Sequence, residues 1–396
     1  MQEASSHPDN EARTPLSRRR NGRPLRLGGG PPDYADKALA AVAEPFKGIT
    51  ADGTVTPGLF PLERTGATTR PIRQAAEDFL GSLNQEQHAR SLFPIDTVEW
   101  RKWSNIHRTI MRHGMPVFEM SESQLDRAFT LLKESLSARG LTTARDVMRL
   151  NETVMEMTGK LDEYGEDLYW LSIMGIPSDT EPWGWQIDGH HLIINYFVLG
   201  DQVVMTPTFL GSEPVHAEGG KYAGTRVFQA EEEQGLAMIR ALSATQRRAA
   251  VLSQDLPREV FTTAFRDNFE LRYEGIRADG LSLEQPELLL RLIDVHVGRV
   301  RPGHARIKMN EVKRHFKQTY FAWMGGMDAD SVFYYRIHSP VLLVEFDHQK
   351  GVAFPAYDKP YKDHIHIIVR TPNSNDYGKD LLRQHYERAP HHSTRG

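Results

Sequence analysis

The run Trp183-Gly184-Trp185-Gln186-Ile187-Asp188-Gly189-His190-His191-Leu192-Ile193-Ile194-Asn195-Tyr196 has a counterpart in Phe333-Tyr334-Tyr335-Arg336-Ile337-His338-Ser339-Pro340-Val341-Leu342-Leu343-Val344-Glu345-Phe346. In the first copy Leu192–Val198 is β-branched and aromatic, which is a strand signal, and Gly200-Asp201 turns it into a second strand, Gln202–Met205. In the second copy Val341–Phe346 reads the same way, and His364–Val369 is a further strand. A Thr-Pro pair follows in each case, Thr206-Pro207 and Thr371-Pro372.

Helical spacing precedes both runs. Ile72, Ala75, Ala76, Phe79, Leu80 and Leu83 recur with a period near 3.6, and Asn84 with Gln87 reads as the cap of a short following helix. Leu125, Ala128, Phe129, Leu132 and Leu136 predict a helix that Gly140 stops, and Val147, Met148, Asn151, Val154 and Met155 predict another. Helices return over roughly 231–253. There Met238–Gln246 resembles Phe79–Gln87, again with a Ser or Asn cap and Gln three residues on. These matches predict an α+β fold made of an internally duplicated, helices-then-strands unit of about 155 residues. The copies, 70–225 and 230–388, are expected to pack about a pseudo-two-fold axis with a mostly antiparallel sheet, Asn195 lying over Glu345. The second copy carries most of the expected site. Residues 1–60 are expected to be flexible, since their start is polar and rich in Pro and Gly, and 389–396, with His391-His392, to be a tail.

Composition narrows the chemistry. The chain has 396 residues, 39% hydrophobic and 25% charged, which is the balance of a globular protein. A net charge of −4 speaks against nucleic acid as a partner. With no cysteine there is no disulfide, thiolate metal site or cysteine nucleophile. No apolar run is long enough to span a membrane, and Ser17-Arg18-Arg19-Arg20 is followed by no apolar stretch of a signal peptide. A cytoplasmic address is the expectation. No Gly-rich phosphate loop, Gly-X-Ser-X-Gly elbow or His-Glu-X-X-His helix is present.

Three clusters combine histidines and carboxylates near strand ends: Gly189-His190-His191, Glu345-Phe346-Asp347-His348 and Asp363-His364-Ile365-His366. Alternation puts His364, His366, Ile368 and Arg370 on one face of their strand, and Ile365, Ile367 and Val369 on the other. Two imidazoles one pleat apart can reach a single ion. Glu345 and Asp347 share a face opposite Leu342, Val344 and Phe346, and a carboxylate there serves as anionic ligand or orients a ligand histidine. His190 and His191 are adjacent and face opposite ways on a regular strand, so the sequence does not choose between them. The expected metal ligands are therefore His190, His191, His364, His366 and Glu345, for a divalent transition metal, Fe, Mn, Cu or Zn. Glu345, Asp347 and Arg370 are the candidate catalytic residues. Trp183, Trp185 and Tyr335 are candidates for lining a small-molecule substrate pocket, with core packing as their alternative role. His107, His113, His296, His304 and His315 lie in helical or loop segments and are expected to be structural.

Trp183-Gly184-Trp185 with Gly189-His190-His191-Leu192, Glu345-Phe346-Asp347, His364-Ile365-His366 with Arg370, and Asn375-Asp376-Tyr377-Gly378 with His385 resemble a bacterial and fungal family. It is the domain-of-unknown-function family thirty-five hundred, and the likeness runs over roughly 70–388. Members of that family often carry Glu where this chain has Asp188, and Asn where it has Asp363. Many also look exported. The resemblance supports the site and implies no reaction.

The residues thus predict a metal-dependent enzyme acting on a small organic molecule. Its chemistry leans to oxidation with dioxygen or peroxide, because a His-rich set with one carboxylate suits redox metals. A metal-dependent hydrolase or lyase is the alternative. A metal-free binding protein is the third reading.

Overall fold

The computed structural model of the chain describes residues 34–106 and 112–388. Residues 1–33, His107 and the expected tail at 389–396 lie outside that range. From Tyr34 on, the segment expected to be flexible is packed. Tyr34–Ala43 (α1) buries Ala38 and Val42, Ile49 and Phe60 are buried beyond it, and Thr50 bridges to Glu270.

The first half follows its periodicity. Arg70–Gly81 (α2) buries Ile72, Ala75, Ala76, Phe79 and Leu80. Asn84 and Gln87 cap each other reciprocally at the start of Gln85–Ser91 (α3). Leu92–Phe93 (β1) and Met115–Pro116 (β2) lead into Glu122–Ser135 (α4) and Ala138–Thr158 (α5). Gly140 does not stop α4. It lies in the first turn of α5, where its N–H reaches the Ser137 cap and a Cβ would collide with the Arg299 carbonyl. The strands are Tyr169–Met174 (β3), Trp183–Gly189 (β4), Leu192–Leu199 (β5), Gln202–Val204 (β6) and Thr208–Ser212 (β7).

The second half repeats the order. Gln229–Ala241 (α6) and Ala244–Ala250 (α7), the latter opened by a Ser243–Gln246 cap, run into Val251–Ser253 (β8). The helical expectation over 231–253 therefore ends early, as the β-branched Val251 joins a sheet edge. Ile276–Arg277 (β9), Gln285–Val297 (α8) and Pro302–Arg314 (α9) follow. Then come Tyr320–Gly325 (β10), Phe333–His338 (β11), Leu343–Lys350 (β12), Pro360–Arg370 (β13) and Lys379–Arg388 (α10).

All strands join one mixed, mostly antiparallel 13-stranded sheet, in the order β1-β3-β4-β5-β7-β13-β12-β11-β10-β8. The halves meet where β7 pairs antiparallel with β13, Gly211 opposite His366. Registers match in the two arms: Gln186 faces Asn195 across β4 and β5, and Arg336 faces Glu345 across β11 and β12. Trp185 stacks on Tyr196, and Tyr335 on Phe346. The two Thr-Pro pairs are not equivalent, since Thr206-Pro207 precedes β7 and Thr371-Pro372 follows β13. Their threonine hydroxyls hydrogen-bond each other at 2.8 Å.

The sheet separates two environments. Helices cover one face, where Trp183, Trp185, Ile187, Tyr335, Val344, Phe346, Ile365 and Ile367 form the main core with residues of α2, α4, α5, α6 and α8. On the other face Ile193, Phe209 and Ile368 pack against Trp100, Trp103, Val260, Ala264 and Tyr377, which belong to irregular segments. His366 lies on this second face, against Phe209, with His364 one pleat along the same side of β13.

Candidate metal centre

His190 and His191 occupy the two-residue turn between β4 and β5, closed by the Gly189–Leu192 pair. His191 has φ 62°, a left-handed conformation that costs a non-glycine residue about 1–2 kcal/mol. This turn dissolves the strand-parity ambiguity. The His191 carbonyl accepts from Gly211 N–H at 2.8 Å, which fixes the turn beside β7. On the far side of β7, His366 sits opposite Gly211 and His364 one pleat along. Three imidazoles from two distant stretches of sequence converge here: His191 Nε2 and His364 Nε2 are each 3.1 Å from His366 Nε2. All three residues are buried.

The outer nitrogens bear on whether the group can hold a cation. His364 Nδ1 lies 2.7 Å from the Lys350 carbonyl, which only accepts, so Nδ1 bears the hydrogen and Nε2 of the neutral ring is a lone pair. Burial, reinforced by His366, pushes the His364 pKa well below the usual histidine range and keeps that ring neutral. His366 Nδ1 is 2.8 Å from Glu259 Oε1, the orientation by which a carboxylate fixes a ligand imidazole. With Nε2 of His364 a lone pair, the two 3.1 Å nitrogen–nitrogen contacts need a proton or an ion between them. One proton can bridge one of the two contacts, while an ion among the three nitrogens satisfies both. Metal–nitrogen bonds of about 2.0–2.1 Å at tetrahedral to right angles place the nitrogens about 2.9–3.4 Å apart, which the two contacts to His366 Nε2 meet.

Two further features fit an ion. Gly211 separates the rings, and a Cβ there would stand 2.8 Å from His191 Cδ2 and 3.0 Å from His366 Cδ2. Asp347, opposite His366 on β12, is wholly buried, accepts from Gln349 Nε2, and leaves Oδ1 without a hydrogen-bond partner among the described residues. Burial, then Glu259 and Glu345, push its carboxyl well above the ordinary range. Asp347, Glu259 and His366 form a second group of candidate ligand atoms that shares His366 with the first.

Not every expected site residue joins. Glu345, taken from sequence as a ligand and catalytic group, stands outside both groups. It is wholly buried but amply supplied: Phe261 N–H at 2.7 Å, Thr262 N–H at 2.9 Å, the Thr262 hydroxyl at 2.5 Å and the Tyr334 hydroxyl at 2.8 Å all donate to it. The segment it grips also carries Glu259. His190 turns away from the group, donating from Nδ1 to Asn151 Oδ1 at 2.7 Å while its ring stacks on His191, centroids 3.8 Å apart. Arg370 shares the predicted face but is committed elsewhere: its donors go to Asp267, Asp376 and the Thr262 and Thr263 carbonyls. Trp183, Trp185 and Tyr335 belong to the helix-side core, across the sheet from the histidines. Asp188 pairs with Arg112 rather than with His190, and Asp363 accepts from Val215 N–H at 2.9 Å. Asp376 closes on Arg370, and His385 pairs with Glu181.

Sequence reading missed Glu259, Gly211 and Glu213. Glu213 accepts from Val352 and Ala353 N–H and the Tyr361 hydroxyl, and lies 3.6 Å from His364 Nδ1. An isolated glycine inside a strand signals close approach, which is the one clue that could have found Gly211. Glu259 sits in an irregular segment without periodicity and offered none.

Residues 65–379 match the family model described as Protein of unknown function (DUF3500). The fold and histidine group thus define a sheet-based α+β protein with a candidate metal centre, and the chain belongs to that family. No curated protein and no solved structure shows significant similarity to it.

Proposed function

We propose that the chain is a metal-dependent enzyme acting on a small organic molecule, its divalent Fe, Mn, Cu or Zn held by His191, His364 and His366. The observation that carries this is the convergence of three Nε2 atoms, two of them backed by an acceptor at Nδ1. Three protein ligands leave a position open, and a bound ion there would act as a Lewis acid and acidify a water. Within the chain, Lys350 and Glu259 hold the ring hydrogens outward, and Asp347 is the buried carboxyl group beside them. Because all three ligands are imidazoles and none is a carboxylate, the ion's charge stays uncompensated. That favours hydrolysis or elimination over the oxidation expected when Glu345 counted as an anionic ligand. One observation still favours oxidation: Glu259 and Asp347 around His366 make a mixed His and carboxylate set.

Metal analysis of the purified chain tests the reading. It should carry about one equivalent, lost in both His364→Ala and His366→Ala with the helical circular dichroism retained. Full occupancy in both variants would remove the site, and a metal-free native chain would favour a binding protein. Oxygen uptake against anaerobic turnover separates the two chemistries.

The matched order of elements and the equivalent Gln186–Asn195 and Arg336–Glu345 registers support an internal duplication about a pseudo-two-fold axis between β7 and β13. The lack of cysteine suits the cytoplasm, and no helix among the described residues is long and apolar enough to cross a membrane.

A further inference from the structure

A cleft of about 270 Å³, at the small end of ligand sites, opens beside α4 and α5 and is lined by none of the histidines of the metal group. Phe118, Met120, Phe129 and Met148 give it an apolar floor. Three cations stand around that floor, and their charges are not equally compensated. Arg149 Nη1 pairs with Asp146 at 2.9 Å. Lys221 Nζ pairs with Glu166 at 2.7 Å, and Glu166 also takes the Tyr222 hydroxyl. Arg145 is different. It is exposed, its guanidinium carbon lies 4.5 Å from the Phe129 ring centroid, and no carboxylate among the described residues pairs with it. A guanidinium lying on an aromatic face keeps the N–H donors at its edge available for the forked grip that suits a carboxylate.

We propose that this cleft binds a small amphipathic monocarboxylate, its apolar body on the Phe118, Met120, Phe129 and Met148 floor and its carboxylate on Arg145. One uncompensated cation above an apolar surface matches one anion attached to an apolar group. A second negative charge would find no unpaired cation, because Arg149 and Lys221 are held by Asp146 and Glu166, and so dianions are selected against. The site stands apart from the metal group, so binding does not require metal.

Calorimetric titration of the full chain with phenylacetate and hexanoate tests this, with phenylacetamide as the neutral isostere and phenylsuccinate as the dianion. At least one monocarboxylate should bind saturably, in metal-loaded and chelator-treated protein alike. The amide and the dianion should each bind about tenfold more weakly or worse, the amide through loss of a charged hydrogen bond. Arg145→Gln should weaken the acid similarly while Lys221→Gln changes it about threefold at most. Equal affinity for acid and amide, undiminished binding in Arg145→Gln, or no saturable binding of either acid overturns the proposal. The acid–amide comparison uses the unaltered chain, so it holds even if a variant misfolds.

Discussion

At the scale of single residues, the geometry turns on atoms that a composition count ignores. Gly211 contributes only an absence, yet it gives the two imidazoles room to approach. Gly211→Ala should lower metal affinity at least about tenfold, because the new methyl also meets the Ile365 carbonyl at 2.9 Å and the rings must part. Overpacking of this kind costs about 1–3 kcal/mol, so a titration with Zn(II) or Mn(II) on a chain that still melts cooperatively is the check. His338 makes a separate, pH-dependent statement. It is wholly buried against Tyr273, and burial pushes its pKa down to about 3, with Arg336 adding to the effect and a backbone contact with Arg272 opposing it. The native state keeps this ring neutral while the unfolded chain protonates near pH 6.5. Stability is therefore complete above that pH and is lost as the pH falls from about 6.5 towards 3, by up to about 5 kcal/mol. His296 shifts in the same direction. His338→Phe should flatten the apo protein's urea midpoint between pH 6.5 and 4.5, and an unchanged slope would show that the histidine is solvated.

At the scale of elements, the strands supply ligands and the irregular segments orient them. The stretch 259–262 has no regular structure and is held down by Glu345, which takes three of its donors from Phe261 and Thr262. Glu259 leaves that same stretch for His366. Glu345→Gln turns one accepting oxygen into a donor facing donors already in place. The expected loss is about 3 kcal/mol of stability, together with a fall in metal affinity as Glu259 loses its anchor. Both should appear in one variant, measured by melting temperature and metal titration. Lost stability with untouched affinity would mean that the segment holds its place without Glu345. The alternating pattern of β13 was legible in advance: Ile365 and Ile367 enter the helix-side core while His364 and His366 face away. The strand β4 was not, because Trp183–Gly189 includes glycines and a buried Gln and Asp that do not read as a strand. Those glycines serve contact, since a Cβ on Gly184 would strike the Tyr196 carbonyl and one on Gly189 the Tyr169 ring.

At the scale of the whole molecule, one sheet runs through both halves, and cutting between them would expose the paired edges of β7 and β13. An open edge of that kind invites aggregation. Residues 70–225 and 230–388 expressed apart should therefore fail to give soluble monomers, whereas the intact chain unfolds in a transition shared by tryptophan fluorescence and far-ultraviolet dichroism. Two resolved transitions, or a soluble folded half, would show that the halves are independent. The sequence by itself determined the helices of α2, α4 and α5, the caps at Asn84 and Ser243, and the faces of β12 and β13. These follow from local periodicity and from hydrogen bonds within a few residues. It also supplied the histidines and the family to which they belong. Only the tertiary structure decided which histidines meet. His191 reaches His366 because a left-handed turn residue and a side-chain-free Gly211 bring β5, β7 and β13 together. It also decided that Glu345 and Arg370 are spent on holding loops: a buried charge goes to whichever donors or carboxylates the chain packs against it, and those came from segments with no periodic signal.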